Sequence, residues 1–324
     1  MTILVTGAAG FIGFHVAQAL LARGERVLGI DNLNSYYDPT LKHARLAALA
    51  PQPRFAFEAV DIADRSAMEG LRPRGITRIV HLAAQAGVRH SLVDPYAYVA
   101  ANLLGQVTVL ELARALPDFQ HLVYASSSSV YGLNEASPFA VGDRTDRPAS
   151  LYGATKKADE LMGHAYAHLF RIPMTGLRFF TVYGPWGRPD MAAWLFTDAI
   201  LAGRPITLFN QGQLQRDFTY IDDIVAGVLA ALDRPPAATA PEVPVKVYNL
   251  GNNRPEPLSA FVSAVEAACG VAAQVVLAPM QPGDVLATAA DITESTRDLG
   301  FRPVTPISVG IPRFVEWFRA YHQR

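Results

Sequence analysis

The sequence predicts an α/β protein: a Rossmann-like, doubly wound parallel sheet followed by a smaller C-terminal mixed α/β lobe. Three observations carry this prediction. An apolar strand runs into a glycine turn and a helix at the start of the chain, an acid closes the next strand, and strand–helix alternation continues to about residue 180. Ile3-Leu4-Val5 is the first apolar run, Gly7-Ala8-Ala9-Gly10-Phe11-Ile12-Gly13 is the turn, and Ile12, Val16 and Leu20 recur at helical spacing. A strand that delivers glycines to a helix start gathers unpaired N–H groups and the positive end of the helix dipole, where a pyrophosphate can sit. After Gly24, Val27-Leu28-Gly29-Ile30 reads as the second strand, and Asp31 at its tip is placed to accept from ribose hydroxyls. The expected ligand is a dinucleotide, NAD rather than NADP, because a carboxylate there repels a 2′-phosphate. The spacing G-x-x-G-x-x-G alone is weak in a chain with 24 glycines, any of which can serve a turn or cap. Its context of strand, helix and acid decides for a cofactor.

The following elements continue the alternation. Residues 32–50 hold a polar, aromatic loop, Asn34-Ser35-Tyr36-Tyr37-Asp38-Pro39, too long for a simple turn, which either lies over the cofactor or is an insertion. A third strand over 55–60 ends at Asp61-Ile62, where Asp61 either meets the adenine amino group or caps a helix over 63–71. The fourth strand, 78–82, runs into Ala83-Ala84-Gln85-Ala86-Gly87, small residues that allow close approach of a ligand or another chain segment. A long helix over 95–115 and a fifth strand over 121–125 follow, with Ser126, Ser127, Ser128 and Ser129 at that strand's end. Ligands of such sheets bind beyond these carboxyl ends. After a loop rich in Pro, Gly and Asp, a helix carries Tyr152 and Lys156 to about residue 170, and a strand over 174–180 enters Thr181-Val182-Tyr183-Gly184-Pro185-Trp186-Gly187-Arg188-Pro189-Asp190. Beyond it come short strands at 206–209 and 218–220 among helices, an exposed linker at 235–244, a strand at 247–250, and helices at 258–269 and 307–321. The expected division is a dinucleotide domain over 1–180 and a mainly substrate-binding lobe over 181–324; whether segments around 206–250 return to the first domain is left open by the pattern.

Composition bounds the function. At 324 residues, half of them hydrophobic, the chain can bury a large core as one or two domains. With 28 basic and 29 acidic residues and net charge −1, a general nucleic-acid surface is not expected. Cys269 is the only cysteine, which excludes an internal disulfide and a multi-cysteine metal site, and no metal is expected. The first strand begins at the third residue, leaving no room for a signal peptide, and no apolar run approaches the ~20 residues of a membrane span. A soluble, cytoplasmic protein without a membrane partner is the expectation.

Tyr152 and Lys156 lie one helical turn apart, so their side chains share a face. An ammonium beside a phenol favours the phenolate and prepares it as a general base. Ser127, at a strand end on the same rim, can hydrogen-bond the same substrate oxygen. Each feature has a plainer reading, as an exposed helix pair or a solvated serine loop.

Together Gly7, Gly10, Gly13, Asp31, Asp61, Ser127, Tyr152 and Lys156 resemble the extended short-chain dehydrogenase/reductase family, over nearly the whole chain. More narrowly, Asp31-Asn32-Leu33-Asn34-Ser35-Tyr36-Tyr37-Asp38, Ala86-Gly87-Val88-Arg89 and Tyr183-Gly184-Pro185-Trp186-Gly187-Arg188-Pro189-Asp190-Met191 are similar to UDP-glucuronate 4-epimerases. The resemblance implies an NAD seat formed by Gly7, Gly10, Phe11, Ile12 and Gly13, by Asp31, Asn32, Asp61 and Ile62, and by Leu82, Ala83 and Ala84, with Tyr152 and Lys156. It implies that Tyr152 takes the proton of the sugar 4-hydroxyl as hydride leaves C4, that Ser127 binds the reacting oxygen, and that a 4-keto sugar turns over before hydride returns, so that NAD is recycled. It further implies substrate contacts from Arg89, Ser127, Ser128, Ser129, Thr181, Arg188, Arg216 and Asp284. The intermediate of a C5 carboxylate sugar is a β-keto acid that loses carbon dioxide unless the carboxylate is held near the carbonyl plane. Arg188 offers a bidentate fork for that, with Ser128 and Ser129 as hydroxyl donors, or else forms a loop salt bridge to Asp190. Related dehydratases and decarboxylases carry an acid after the position of Ser127; Ser128 and Ser129 do not supply one. The other readings are a C4 epimerase of UDP-glucose or UDP-N-acetylglucosamine and, from another class, a catalytically silent NAD-binding sensor. The resemblance also implies a homodimer built on the helices at 95–115 and 152–170.

Overall fold

The computed structural model describes residues 1–134, 137–281 and 285–323. Its strands, in chain order, are β1 (Thr2–Thr6), β2 (Arg26–Asp31), β3 (Phe55–Ala59), β4 (Ile76–His81), β5 (His121–Ser127) and β6 (Met174–Phe179). Then come β7 (Thr181–Tyr183), β8 (Ile206–Leu208), β9 (Gln215–Tyr220), β10 (Val245–Leu250), β11 (Pro255–Pro257) and β12 (Val275–Leu277). Seven of them form one parallel sheet in the order β10-β6-β5-β4-β1-β2-β3. The chain winds outward from β1 to β3 and returns on the other side with β4, so a crevice opens between the carboxyl ends of β1 and β4.

Strand β1 is buried on both faces, and this is why it reads as an unbroken apolar run. Ile3 and Val5 join the core that includes Phe14, Leu20, Val228 and Leu232, whereas Leu4 joins the opposite core with Leu28, Met68, Val109 and Leu122. Helices Phe11–Ala22 and Ile221–Leu232 therefore cover one face, and Gly105–Ala115 and Leu151–Phe170 cover the other. Strand β10 pairs with β6 in full parallel register from Val245 to Leu250, so a segment from the late part of the chain closes one edge of the large sheet. The smaller lobe holds the sheet β11-β9-β7 and the pair β12-β8. Around them helices Ala192–Leu201, Leu258–Cys269 and Ile307–His322 bury Phe196, Phe261, Phe314 and Phe318.

Several expectations shift. The helix expected over 95–115 is three segments: a turn Pro95–Tyr98 capped by Asp94, a π-helical stretch Val99–Leu104, and Gly105–Ala115. Asp61 is not a helix cap. The helix there is Arg65–Glu69, capped by Asp64, which accepts from the amides of Ser66 and Ala67. Strand β5 runs two residues further than expected, so Ser126 and Ser127 end the strand while Ser128 opens a short 3-10 turn. Among the described residues no helix is long and apolar enough to cross a membrane.

Candidate active site

The glycine turn is compressed to a degree that leaves no room for a side chain at Gly7 or Gly13. Gly7 has φ of 70°, and a Cβ on it would stand 2.8 Å from the amide nitrogen of Ala83; one on Gly13 would stand 2.0 Å from the Gly7 carbonyl oxygen. The first turn thus presses against the end of β4, and Thr6 Oγ1 accepts from the amides of Leu82 and Ala83 there. The helix that follows starts from Gly10, which provides no side-chain cap, so its first amides remain available to an anion. A cavity of about 380 Å³ begins at this turn. It is lined by every residue expected around the dinucleotide, including Phe11, Ile12, Asp31, Asn32, Asp61, Ile62, Leu82, Ala83 and Ala84, and continues to Ser127, Ser128, Ser129, Tyr152, Lys156, Thr181 and Arg188. Asp31 is buried and accepts from the Leu33 amide at 2.8 Å; Asn32 Nδ2 donates to Asp61 at 3.0 Å. This cradle fits NAD: amides for the pyrophosphate, a carboxylate for the ribose diol, and two polar side chains at the adenine end.

Two buried cations escaped the sequence reading. Lys42 Nζ lies 3.6 Å from Asp31 and donates to Asn34 at 2.9 Å. Arg45, fully buried, donates to the Ala9 carbonyl and the Tyr37 hydroxyl at 2.8 Å each, and to the Trp186 carbonyl at 2.6 Å. It fastens the glycine turn to the aromatic loop and to the loop before Arg188. The aromatic loop therefore covers the cavity, with Asn34, Tyr36 and Tyr37 in its wall, and is not a mere insertion.

Ser127, Tyr152 and Lys156 sit where strand β5 and helix Leu151–Phe170 converge. Ser150 caps that helix by accepting from the Gly153 amide at 3.1 Å, which sets Tyr152 in the first turn. Ser127 Oγ donates to Ser129 Oγ and accepts from the Ser129 amide, both at 3.1 Å. Lys156 Nζ donates to the Ala125 carbonyl and to Asp159, both at 3.0 Å. The Tyr152 ring meets Tyr98 edge to face at 6.1 Å, and Tyr98 is held by the Ala86 carbonyl at 2.7 Å. Asn102, in the π-helical stretch, accepts from the Gln85 amide at 2.8 Å and donates to Thr155 at 3.0 Å, so the loop after β4 is tied to the Tyr152 helix. A π-turn is a known companion of functional sites, and no periodicity announces it.

At the far end, Arg188 grips Asp190 bidentately, through Nε at 2.9 Å and Nη2 at 2.7 Å, and the Tyr36 hydroxyl donates to the same carboxylate at 3.0 Å. Burial opposes the guanidinium's charge, but Asp190 outweighs it and holds Arg188 protonated; Tyr152 is among the groups whose field it feels. The loop salt bridge anticipated as an alternative is thus present, on a side chain that nonetheless lines the cavity. A second cavity of about 160 Å³ shares Val88, Ser128, Ser129 and Thr181 with the first and is walled by Arg216 and Thr288. Arg89 lies over the Phe209 ring at 4.6 Å and lines neither cavity. Asp284 lies outside the described residues.

The chain resembles known proteins in sequence and in fold. The chain is 48% identical to UDP-glucuronate 4-epimerase 4 of Arabidopsis thaliana, over 99% of this chain and 76% of the relative. It is 47% identical to a probable UDP-glucuronate 4-epimerase of Rhizobium meliloti (strain 1021), over 100% and 98% of the two. Its fold matches the crystal structure of UDP-glucuronic acid 4-epimerase from Bacillus cereus in complex with UDP-glucuronic acid and NAD, with a TM-score of 0.91 at 35% identity, covering 99% of this chain and 100% of that one. The family model for NAD dependent epimerases and dehydratases matches residues 3–251, the span that holds the glycine turn, Asp31, Ser127, Tyr152, Lys156 and Arg188. By that match, and by a cradle shaped for the dinucleotide, the chain belongs to the NAD dependent epimerase/dehydratase family.

Proposed function

We propose that this protein is a UDP-glucuronate 4-epimerase that interconverts UDP-glucuronate and UDP-galacturonate by inverting C4. The observation that carries the reading is one continuous wall in which Arg188 stands with Ser127, Ser128, Ser129 and Tyr152, with no acid among the serines. The relatives named above support the same substrate. NAD held by the glycine turn, Asp31 and the end of β4 would supply reversible hydride chemistry at C4. Tyr152 accepts the proton of the 4-hydroxyl and later gives it back, while Ser127 holds the reacting oxygen. Lys156 places a positive charge one turn from Tyr152. No carboxylate at Ser128 or Ser129 is available to move a proton at C5, so dehydration is disfavoured. Arg188 and the serine hydroxyls hold the C5 carboxylate near the plane of the adjacent carbonyl, where the C–C bond resists decarboxylation. The second cavity, with Arg216 and Thr181, takes the diphosphate and nucleoside. Residues 1–180 supply most of the cofactor seat, and 181–324 most of the substrate side.

Incubation of the purified protein with UDP-glucuronate and no added cofactor, followed by NMR, is expected to yield UDP-galacturonate. A UDP-pentose product, or none, overturns the reading; preferential turnover of UDP-glucose or its N-acetylated relative reassigns the substrate. We also propose a homodimer: Leu92, Val93, Tyr96, Val99, Leu161 and Leu169 are large apolar side chains left exposed on the segment 90–104 and on helix Leu151–Phe170. Light scattering in solution is expected to give twice the 35.1 kDa chain mass, and a monomer refutes it.

A further inference from the structure

One carboxylate beside the reactive pair has no part in the mechanism above. Asp159 lies one turn beyond Lys156 on the same helix and accepts from its ammonium at 3.0 Å, with side chains only 2% and 3% exposed. The Ala125 carbonyl takes a second bond from the same ammonium, so Lys156 is stretched between the β5 strand and Asp159. The other oxygen of Asp159, Oδ1, is buried without a hydrogen-bond partner. A half-satisfied buried carboxylate is costly, and Lys156 is the cation that makes it tolerable.

The charged and titratable groups facing this pair come from three elements. Glu160, on the same helix, is committed to Arg178 at 2.7 and 2.9 Å and to Ser126 at 2.7 Å. Tyr124 of β5 is pushed up by burial and stays protonated. His81 of β4 is pushed down to about 3 by burial, with Lys156 adding to it, and stays neutral. Asp159 itself is pushed up to about 6 by burial, against the opposing pull of Lys156. Among these groups Asp159 is the one whose charge changes close to neutral pH.

We propose that Asp159 is a positioning residue that sets how much of the Lys156 charge Tyr152 feels. Ionised, it holds the ammonium in place and offsets its field; protonated, it leaves that field uncompensated. The inference rests on Tyr152 acting as the base. Lowering the pH through the titration of Asp159 would then restore positive charge beside Tyr152 and favour the phenolate just as protons become more abundant.

The test compares tyrosinate absorbance against pH in the wild type, in Asp159→Asn and in Asp159→Ser, each after subtraction of the same chain carrying Tyr152→Phe, together with the pH dependence of kcat. The expected result is a tyrosinate curve displaced about one pH unit lower in both variants than in the wild type, with the acidic limb of kcat moving the same way. Coincident curves in all three proteins, with a changed melting temperature alone, reduce Asp159 to a structural role and overturn the proposal. Asp159→Ser stands in if Asp159→Asn does not fold. If no sugar nucleotide turns over, the functional reading fails while the absorbance titration still judges Asp159.

Discussion

The two ends of the long cavity are built by different means. At the dinucleotide end the work is done by backbone: a strand, three glycines and a helix start, drawn from residues close together in the chain, with Asp31 contributed by the next strand. At the end around Arg188, proposed for the sugar, it is done by side chains that bridge loops far apart in sequence, as Tyr36 reaches Asp190, Asp190 holds Arg188, and Arg45 joins Ala9 to Trp186. A backbone site tolerates almost no substitution at its points of contact and is indifferent elsewhere. A bridged site loses function in steps, one contact at a time, and it is where relatives with the same cofactor can diverge in substrate.

Gly13→Val is the severest way to break this contrast. A side chain there meets the Gly7 carbonyl at 2.0 Å, so the turn must open at a cost above ~4 kcal/mol. The expected outcome is little folded protein and no NAD released when the purified chain is denatured; a stable variant that still carries NAD shows the turn to be softer than its geometry implies. Tyr152→Phe comes next and separates chemistry from binding. It is expected to lower kcat by about 10³-fold while NAD remains bound, since it removes the proton acceptor and no packing. Unchanged turnover removes Tyr152 from the mechanism.

The same contrast explains what could be read from the sequence. The 3–31 unit was legible because strand period, glycine chemistry and helix period all act within a few residues of one another. Lys42 and Arg45 were not, because a helix bearing Lys, His and Arg looks solvated until the aromatic loop and the loop at 184–187 fold over it. Asp61 and Asp64 are both plausible caps three residues apart, and only the actual helix start, at Arg65, decides between them. The π-turn at Val99–Leu104 has no sequence signal, although it is what puts Asn102 on Gln85. A short apolar run such as that of β10 carries no information about which sheet it will join. Asp159 was hidden for a different reason: its chemistry follows from the burial of its neighbour.

Buried histidines distinguish the two ends by stability as well as by activity. Burial pushes His15 and His121 down to about 4 and His81 to about 3, so all three are neutral when folded and free to take protons when unfolded. His15 Nε2 donates to the Pro185 carbonyl at 2.9 Å, whereas His81 and His121 sit in the large sheet. From about pH 6.5 downward the unfolded chain binds more protons than the native one, so stability falls with pH until the folded values are reached near pH 4. Asp159, whose folded value is raised to about 6, works in the opposite direction below that pH, and Asp217 and Asp222, which burial also raises, join it only further into the acid range. The melting temperature is therefore expected to drop between pH 7 and pH 5, and a rise over that interval contradicts neutral burial of these rings.

Arg188→Ala carries the smallest of these effects and bears most directly on the bridged end. Loss of a charge-assisted pair to a carboxylate costs about 1.5–3 kcal/mol, so kcat/KM for UDP-glucuronate is expected to fall roughly 10- to 150-fold. UDP-glucose has a neutral hydroxymethyl group in place of that carboxylate, and any slow turnover of it should fall far less. Because Asp190 already engages Nε and Nη2, the substrate carboxylate must either use the remaining Nη1 or displace Asp190 toward Tyr36. Tyr36→Phe distinguishes these routes: it removes the bond that would hold a displaced Asp190, and it raises KM for UDP-glucuronate only in the second case. Equal losses for both sugars in Arg188→Ala would instead place the guanidinium in the loop framework, leaving the serine turn as the whole of the carboxylate site.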